Sequence, residues 1–274
     1  MGRQEQTNHL FSNRDLRILL VPLIVEQILN SLMGTADSIM VSNVGSAAIS
    51  AVSLVDSINI LVIQAFYALA AGGTIVCSQY IGQKDKKNAE ESARQLSFVV
   101  ACISSAVMAV CLLTRGPLLR LIFGSVEADV MEAAQIYFFY TALSFPFIAL
   151  YDAGSSIYRA QGNTRLPMTI AVVSNGLNIA GNAVLIWGFH LGVAGAAIAT
   201  CLGYCVPSIV GLVYFTKNRT GSLYFVPFKF DGQTLLAACG NGSSEMVSNI
   251  ANAITTFVFN TLFMRYRGED GVAA

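Results

Sequence analysis

From Leu166 to Thr216 the chain carries no acidic or basic side chain apart from His190. At about 1.5 Å per helical residue, a stretch of that length crosses the ~30 Å hydrocarbon core of a bilayer twice. A soluble domain has about one charged residue in four, so a run like this belongs in lipid. Uncharged stretches recur at Gln95–Thr114, Ala133–Tyr151 and Met246–Met264, and only 12% of the chain is charged. The pattern predicts an all-α polytopic membrane protein. It argues against a soluble enzyme, and no nucleophile triad, phosphate loop or metal-ligand cluster occurs to suggest one. Lys+Arg and Asp+Glu balance at 16 each, which gives no reason to expect a nucleic-acid partner. The cysteines Cys77, Cys102, Cys111, Cys201, Cys205 and Cys239 scatter through apolar segments without CxxC spacing. They read as small buried hydrophobes, with no metal or cofactor expected.

The hydropathy pattern predicts seven spans, at Leu16–Val41, Ala47–Tyr80, Gln95–Thr114, Glu132–Tyr158, Leu166–Phe189, Gly192–Phe215 and Thr234–Met264. Pro146 and Pro207 are expected to kink the fourth and sixth, since proline removes one helical hydrogen bond and crowds the preceding turn. Basic residues set the orientation. Arg3, Arg14 and Arg17 precede span 1. Lys84, Lys86, Lys87 and Arg94 fall between spans 2 and 3, Arg159 and Arg165 between 4 and 5, and Lys217, Arg219 and Lys229 between 6 and 7. All of these share one side; the other side holds only Arg115, Arg120, Arg265 and Arg267. The chain is therefore expected in the cell (inner) membrane with its N-terminus cytoplasmic. Tyr158, Trp187 and Phe189 fall near span ends, where an aromatic belt is expected. Gly195, Ala199 and Gly203 form a small-residue ridge that reads as a helix-packing surface.

Several spans carry a polar face. Gln27, Asn30, Gly34 and Asp37 are spaced three, four and three apart on span 1, and Asn175, Asn178 and Asn182 repeat the pattern on span 5. Span 2 adds Asp56, Asn59, Gln64 and Tyr67, and span 4 adds Asp152. A charge facing lipid costs ~2.5–3.5 kcal/mol or more, so these faces are expected to line a shared interior. Asp37 has no basic residue near it in any span. Burial without a counter-charge favours its neutral form. It is then expected to serve as a proton carrier, or with amide oxygens of Asn178 and Asn182 around it as a ligand for Na⁺, or else to stay protonated and hydrogen-bonded to a neighbouring helix.

Asp37-Ser-Ile-Met-Val-Ser-Asn-Val-Gly45 resembles the first-helix motif of the multidrug and toxic compound extrusion (MATE) family. Ser78-Gln-Tyr-Ile-Gly82 after Gly72-Gly73, Arg159-Ala-Gln-Gly-Asn-Thr-Arg165, Asn178-Ile-Ala-Gly-Asn182 and Gly192-Val-Ala-Gly-Ala-Ala-Ile-Ala-Thr200 resemble its later motifs, in order along the chain. The resemblance implies a twelve-helix, two-lobe antiporter that exports cationic or amphiphilic organic compounds in exchange for H⁺ or Na⁺. Carried over by motif, the coupling-cation site is Asp37, Asn178, Asn182 and Thr200. Gln27, Asn30, Asp56, Asn59, Gln64, Tyr67, Asn175 and Asp152 are candidates for the substrate cavity. Some relatives have a second Asp where this chain has Asn182, which leaves H⁺ and Na⁺ both open.

On this reading, residues 1–215 form a six-helix N-terminal lobe and 216–233 a cytoplasmic linker. Residues 234–274 would be the first helix of a truncated second lobe, whose remainder is the missing partner. Two alternatives stand beside the antiporter. A lipid-linked precursor flippase would need a cationic interior, and no Arg or Lys falls within predicted spans 1 to 6. A non-transporting fragment would only pack against a partner in the membrane.

Overall fold

The computed structural model describes residues 13–124 and 126–217, with positions 232, 240, 247 and 251. The predicted linker (but for Thr216 and Lys217) and the seventh span, apart from those four positions, lie outside the described residues. The described chain is helical: α1 (Asn13–Ser42), α2 (Ser46–Gly82), α3 (Lys86–Phe123), α4 (Ala128–Leu143), α5 (Phe145–Ala160), α6 (Arg165–Asn182) and α7 (Gly192–Lys217), with a π-helical stretch Ala183–Gly188 continuing α6. Five elements are long and apolar enough to cross a membrane, and there are six when the bent pair α4 and α5 is counted as one span. Each of the first six predicted spans therefore has a helical counterpart, in order.

Three boundaries differ from the sequence expectation. The fourth span is two helices meeting at 43°, broken at Ser144 with Pro146 in the first turn of α5. Proline is at home there because the first turn has no N–H bond to lose. Second, α3 is 38 residues long, about 57 Å, and projects beyond the bilayer core at one or both ends. Lys86, Lys87 and Arg94 sit in its first turns and Arg115 and Arg120 in its last, so these charges are helical and not loop residues. Third, Arg159 lies in the last turn of α5. Tyr158 is 7% exposed and belongs to the core, whereas Trp187 and Phe189 are 51% and 68% exposed, as expected of belt residues.

The bundle is apolar outside as well as inside. Leu113 and Leu121 are each 84% exposed, which lipid permits and water does not favour. The core centres on α2, where Val55, Phe66 and Ala70 pack with Phe138 of α4 and Phe145 of α5. The rings of Phe66 and Phe145 meet edge to face at 6.0 Å, the favoured aromatic geometry. That contact sits beside the α4–α5 break and holds the bend.

Prolines inside helices orphan the carbonyl four residues earlier. At two of them a neighbouring hydroxyl takes over the bond. Pro22 gives no N–H to Ile18, and Thr164 Oγ1 donates to that carbonyl at 3.3 Å. Pro207 gives none to Gly203, and Ser174 Oγ donates there instead. The helix α7 thus continues through Pro207 as one element. Each replacement bond also ties two helices together: α1 to the loop before α6, and α6 to α7.

Candidate functional site

Asn175, Asn178 and Asn182 recur at three and four residues along α6 and are 5%, 1% and 1% exposed. Asparagine is this buried only when its neighbours approach closely and offer polar partners. The close approach comes from the small residues of α6 and α7. A Cβ at Gly203 would lie 3.1 Å from the Asn178 Cβ, one at Gly181 would lie 3.1 Å from the Ala199 Cβ, and one at Gly195 would lie 3.0 Å from the Leu185 carbonyl. The Gly195–Ala199–Gly203 ridge is thus the packing surface that the spacing predicts. Because Thr200 lies beside it, the same ridge delivers the Thr200 hydroxyl to Asn178.

The four residues assigned to the cation site form one hydrogen-bonded string. Asn178 Nδ2 donates to Thr200 Oγ1 at 3.3 Å. Asn182 Nδ2 donates to Asn178 Oδ1 at 3.2 Å and to Asp37 Oδ1 at 2.5 Å. Three helices, α1, α6 and α7, meet at this string. Asp37 takes part in no ion pair among the described residues. Asn182 Oδ1 is buried without a hydrogen-bond partner, so the carboxamide that holds Asp37 keeps a free acceptor. The π-helical stretch begins at Ala183, one residue beyond this contact; such widened turns occur often at functional positions.

A second carboxyl stands near the first. Asp56 of α2 accepts from Asn59 Nδ2 at 3.4 Å and lies within electrostatic reach of Tyr137 of α4. It also interacts electrostatically with Asp37. Asn59 Oδ1 and Asn175 Nδ2 are buried without partners. Tyr204 of α7 lies within electrostatic reach of Asp37, Asp56 and Asp152. Asp37, Asp56, Asn59 and Asn175 therefore belong to one side of the lobe interior or border it. Gln27, Asn30, Gln64 and Tyr67 sit on exposed faces of α1 and α2 instead, and the structure does not bring them into the string.

Asp152 lies in a different setting. It interacts electrostatically with Arg159 and Glu26, and its Oδ2 is buried without a partner. Glu26, 2% exposed, accepts from Arg159 Nη2 at 2.6 Å and from the Tyr151 hydroxyl at 3.3 Å. This buried ion pair, like Tyr137 and Tyr204, escapes the sequence reading. A signal existed for Glu26: it precedes Asp37 by eleven residues, close to three full turns, so the two share a helix face. The expectation that spans 1 to 6 hold no cation is corrected at Arg159, whose charge is matched by Glu26.

Gly203 gives a direct test of how the site is assembled. Leucine there must displace Asn178. We expect Gly203→Leu to cost about 1–3 kcal/mol through overpacking, measured by thermal unfolding in detergent, and to separate Asn178 from Thr200. Gly176 of α6, where a Cβ would meet nothing within 4 Å, is the control, and Gly176→Ala should leave stability unchanged or slightly raised.

Comparison with known proteins agrees with this architecture. The MatE family model matches residues 22–184, more than half of the chain. The transporter YisQ of Bacillus subtilis is 33% identical over 218 residues, covering 78% of this chain and 46% of YisQ. The probable multidrug resistance protein NorM of Thermotoga maritima is 27% identical over 260 residues, covering 90% of this chain and 52% of that protein. The chain spans about half the length of these curated relatives. A solved multidrug resistance MATE family transporter of the MOP superfamily, in an outward-facing conformation, superposes with a TM-score of 0.87 at 24% identity, over 94% of this chain and 57% of that one. That likeness shows the fold, a six-helix lobe of the MATE architecture, and together with the match over residues 22–184 it means that this chain belongs to the MATE family of transporters.

Proposed function

We propose that this chain is the N-terminal, cation-coupling lobe of an antiporter that exports cationic or amphiphilic organic compounds from the cytoplasm. The observation that carries the reading is the string Asp37–Asn182–Asn178–Thr200, an ionisable acid held by amides with no ion-paired cation. Deprotonated, Asp37 places a negative charge in the interior and favours a cationic substrate nearby. Once the charge is cancelled, α1 repacks and the substrate site weakens toward the outside. The two carboxyls Asp37 and Asp56 interact with each other, and a proton held at either relieves their repulsion. H⁺ is accordingly the coupling ion we favour. The unpartnered Asn182 Oδ1 supports the second reading, Na⁺, which takes oxygen ligands. The bias of basic residues to one set of loops supports a cytoplasmic N-terminus, which we assign with the protein in the cell membrane.

The test is dye efflux from proteoliposomes containing the full-length protein. An imposed proton gradient should drive extrusion, and a protonophore should stop it. Extrusion that follows a sodium gradient instead would select the second reading. Extrusion indifferent to both gradients would overturn antiport.

A further inference from the structure

A cavity of about 230 Å³ opens between α2, α3 and α5, at the end of the lobe that carries the basic loops. It is smaller than the ~300–1,000 Å³ of sites that enclose drug-sized ligands, and it lies away from the Asp37 string. Its floor is apolar: Cys77, Ala93 and Ile157 are 1%, 2% and 2% exposed. Its rim carries Lys84, Lys86, Glu90 and Gln161.

The charges at the rim do not cancel. Glu90 pairs with Arg94 at 3.8 Å. Asp85, between the two lysines, caps α3 by accepting from the Asn88 N–H at 3.2 Å and from Asn88 Nδ2 at 2.7 Å. Neither lysine takes part in an ion pair among the described residues. Lys84 also has a φ of 59°, a left-handed conformation that glycine would adopt at lower cost. Lysine therefore stands at a position whose backbone glycine would adopt at lower cost.

We propose that this cavity holds the headgroup of an anionic phospholipid from the cytoplasmic leaflet. Lys84 and Lys86 engage its phosphate, Gln161 hydrogen-bonds its polar glycerol, and the floor of Cys77, Ala93 and Ile157 receives the start of an acyl chain. Basic pockets between helices at the cytoplasmic face suit such headgroups. A zwitterionic lipid would add its own cation beside the two lysines and gain less. The side of the membrane rests on the orientation proposed above; the ligand chemistry does not rest on antiport.

Native mass spectrometry tests this on the full-length protein released from nanodiscs of equal phosphatidylglycerol and phosphatidylcholine. The unmodified protein should retain phosphatidylglycerol in preference. Lys84→Gln with Lys86→Gln should lower that preference roughly 25-fold, about fivefold for each lysine at the surface. Ala89→Leu fills the cavity without changing charge and should also reduce retention. Lys87→Gln, on the same turn but outside the cavity lining, should leave the preference near its starting value. Added glycerol phosphate should not displace the lipid; displacement would identify a soluble phosphate site and overturn the lipid assignment. An unchanged preference in the double variant, or an equal loss in Lys87→Gln, would also overturn it. The readout needs no gradient or transported substrate, so Asp37→Asn should leave it intact even if the antiport reading fails.

Discussion

Replacing Arg159 with methionine is expected to destabilise the lobe by about 3–5 kcal/mol. The partner explains the size of the effect. The Glu26 side chain is 3% exposed against 23% for Arg159, so the carboxylate left behind cannot reach water while the guanidinium, left alone, in part can. Tyr151 still donates to Glu26, but a single bond from an uncharged hydroxyl at 3.3 Å does not replace a 2.6 Å ion pair. Glu26→Gln should therefore cost less than Arg159→Met. Combining them removes both charges and should recover much of the loss, because pairs of this kind add little net stability over apolar replacements. A double-mutant cycle on unfolding in detergent measures all three. Equal costs for the two single variants would mean that the pair is wetter than its burial indicates.

The other large effect concerns function. Asp37→Asn preserves the shape of the side chain and an acceptor for Asn182 Nδ2, so the fold should hold. What goes is the charge. A membrane potential contributes ~2.3 kcal/mol per charge per 100 mV, roughly 50-fold in accumulation. In reconstituted full-length protein, Asp37→Asn should reduce gradient-driven accumulation to simple equilibration. Stability should change little, which separates this outcome from the Arg159 result.

The residues show what a linear reading can and cannot reach. Asn175, Asn178 and Asn182 were legible because helical spacing alone puts them on one face, and Asp37 because a lone acid in an apolar run demands a partner. Their meeting point follows from small residues on α6 and α7, also visible as a ridge. The Glu26–Arg159 pair was not legible, because its members are 133 residues apart and neither belongs to a local pattern that announces the other. The break at Ser144 was half legible: Pro146 signalled a disturbance, but whether a proline kinks a helix or starts a new one depends on packing such as the Phe66–Phe145 contact. Tyr137 and Tyr204 belong to no local pattern that marks them, and only the fold brings them within electrostatic reach of Asp37 and Asp56. The exposed polar residues Gln27, Asn30, Gln64 and Tyr67 had the right composition for an interior but lie on faces that this lobe alone does not cover.

The most direct measurement is proton release on substrate addition to purified full-length protein in lightly buffered detergent. If Asp37 trades its proton for a cationic substrate, the unmodified protein will acidify the medium in proportion to substrate bound, and Asp37→Asn will not. Equal acidification from the two proteins would contradict the account.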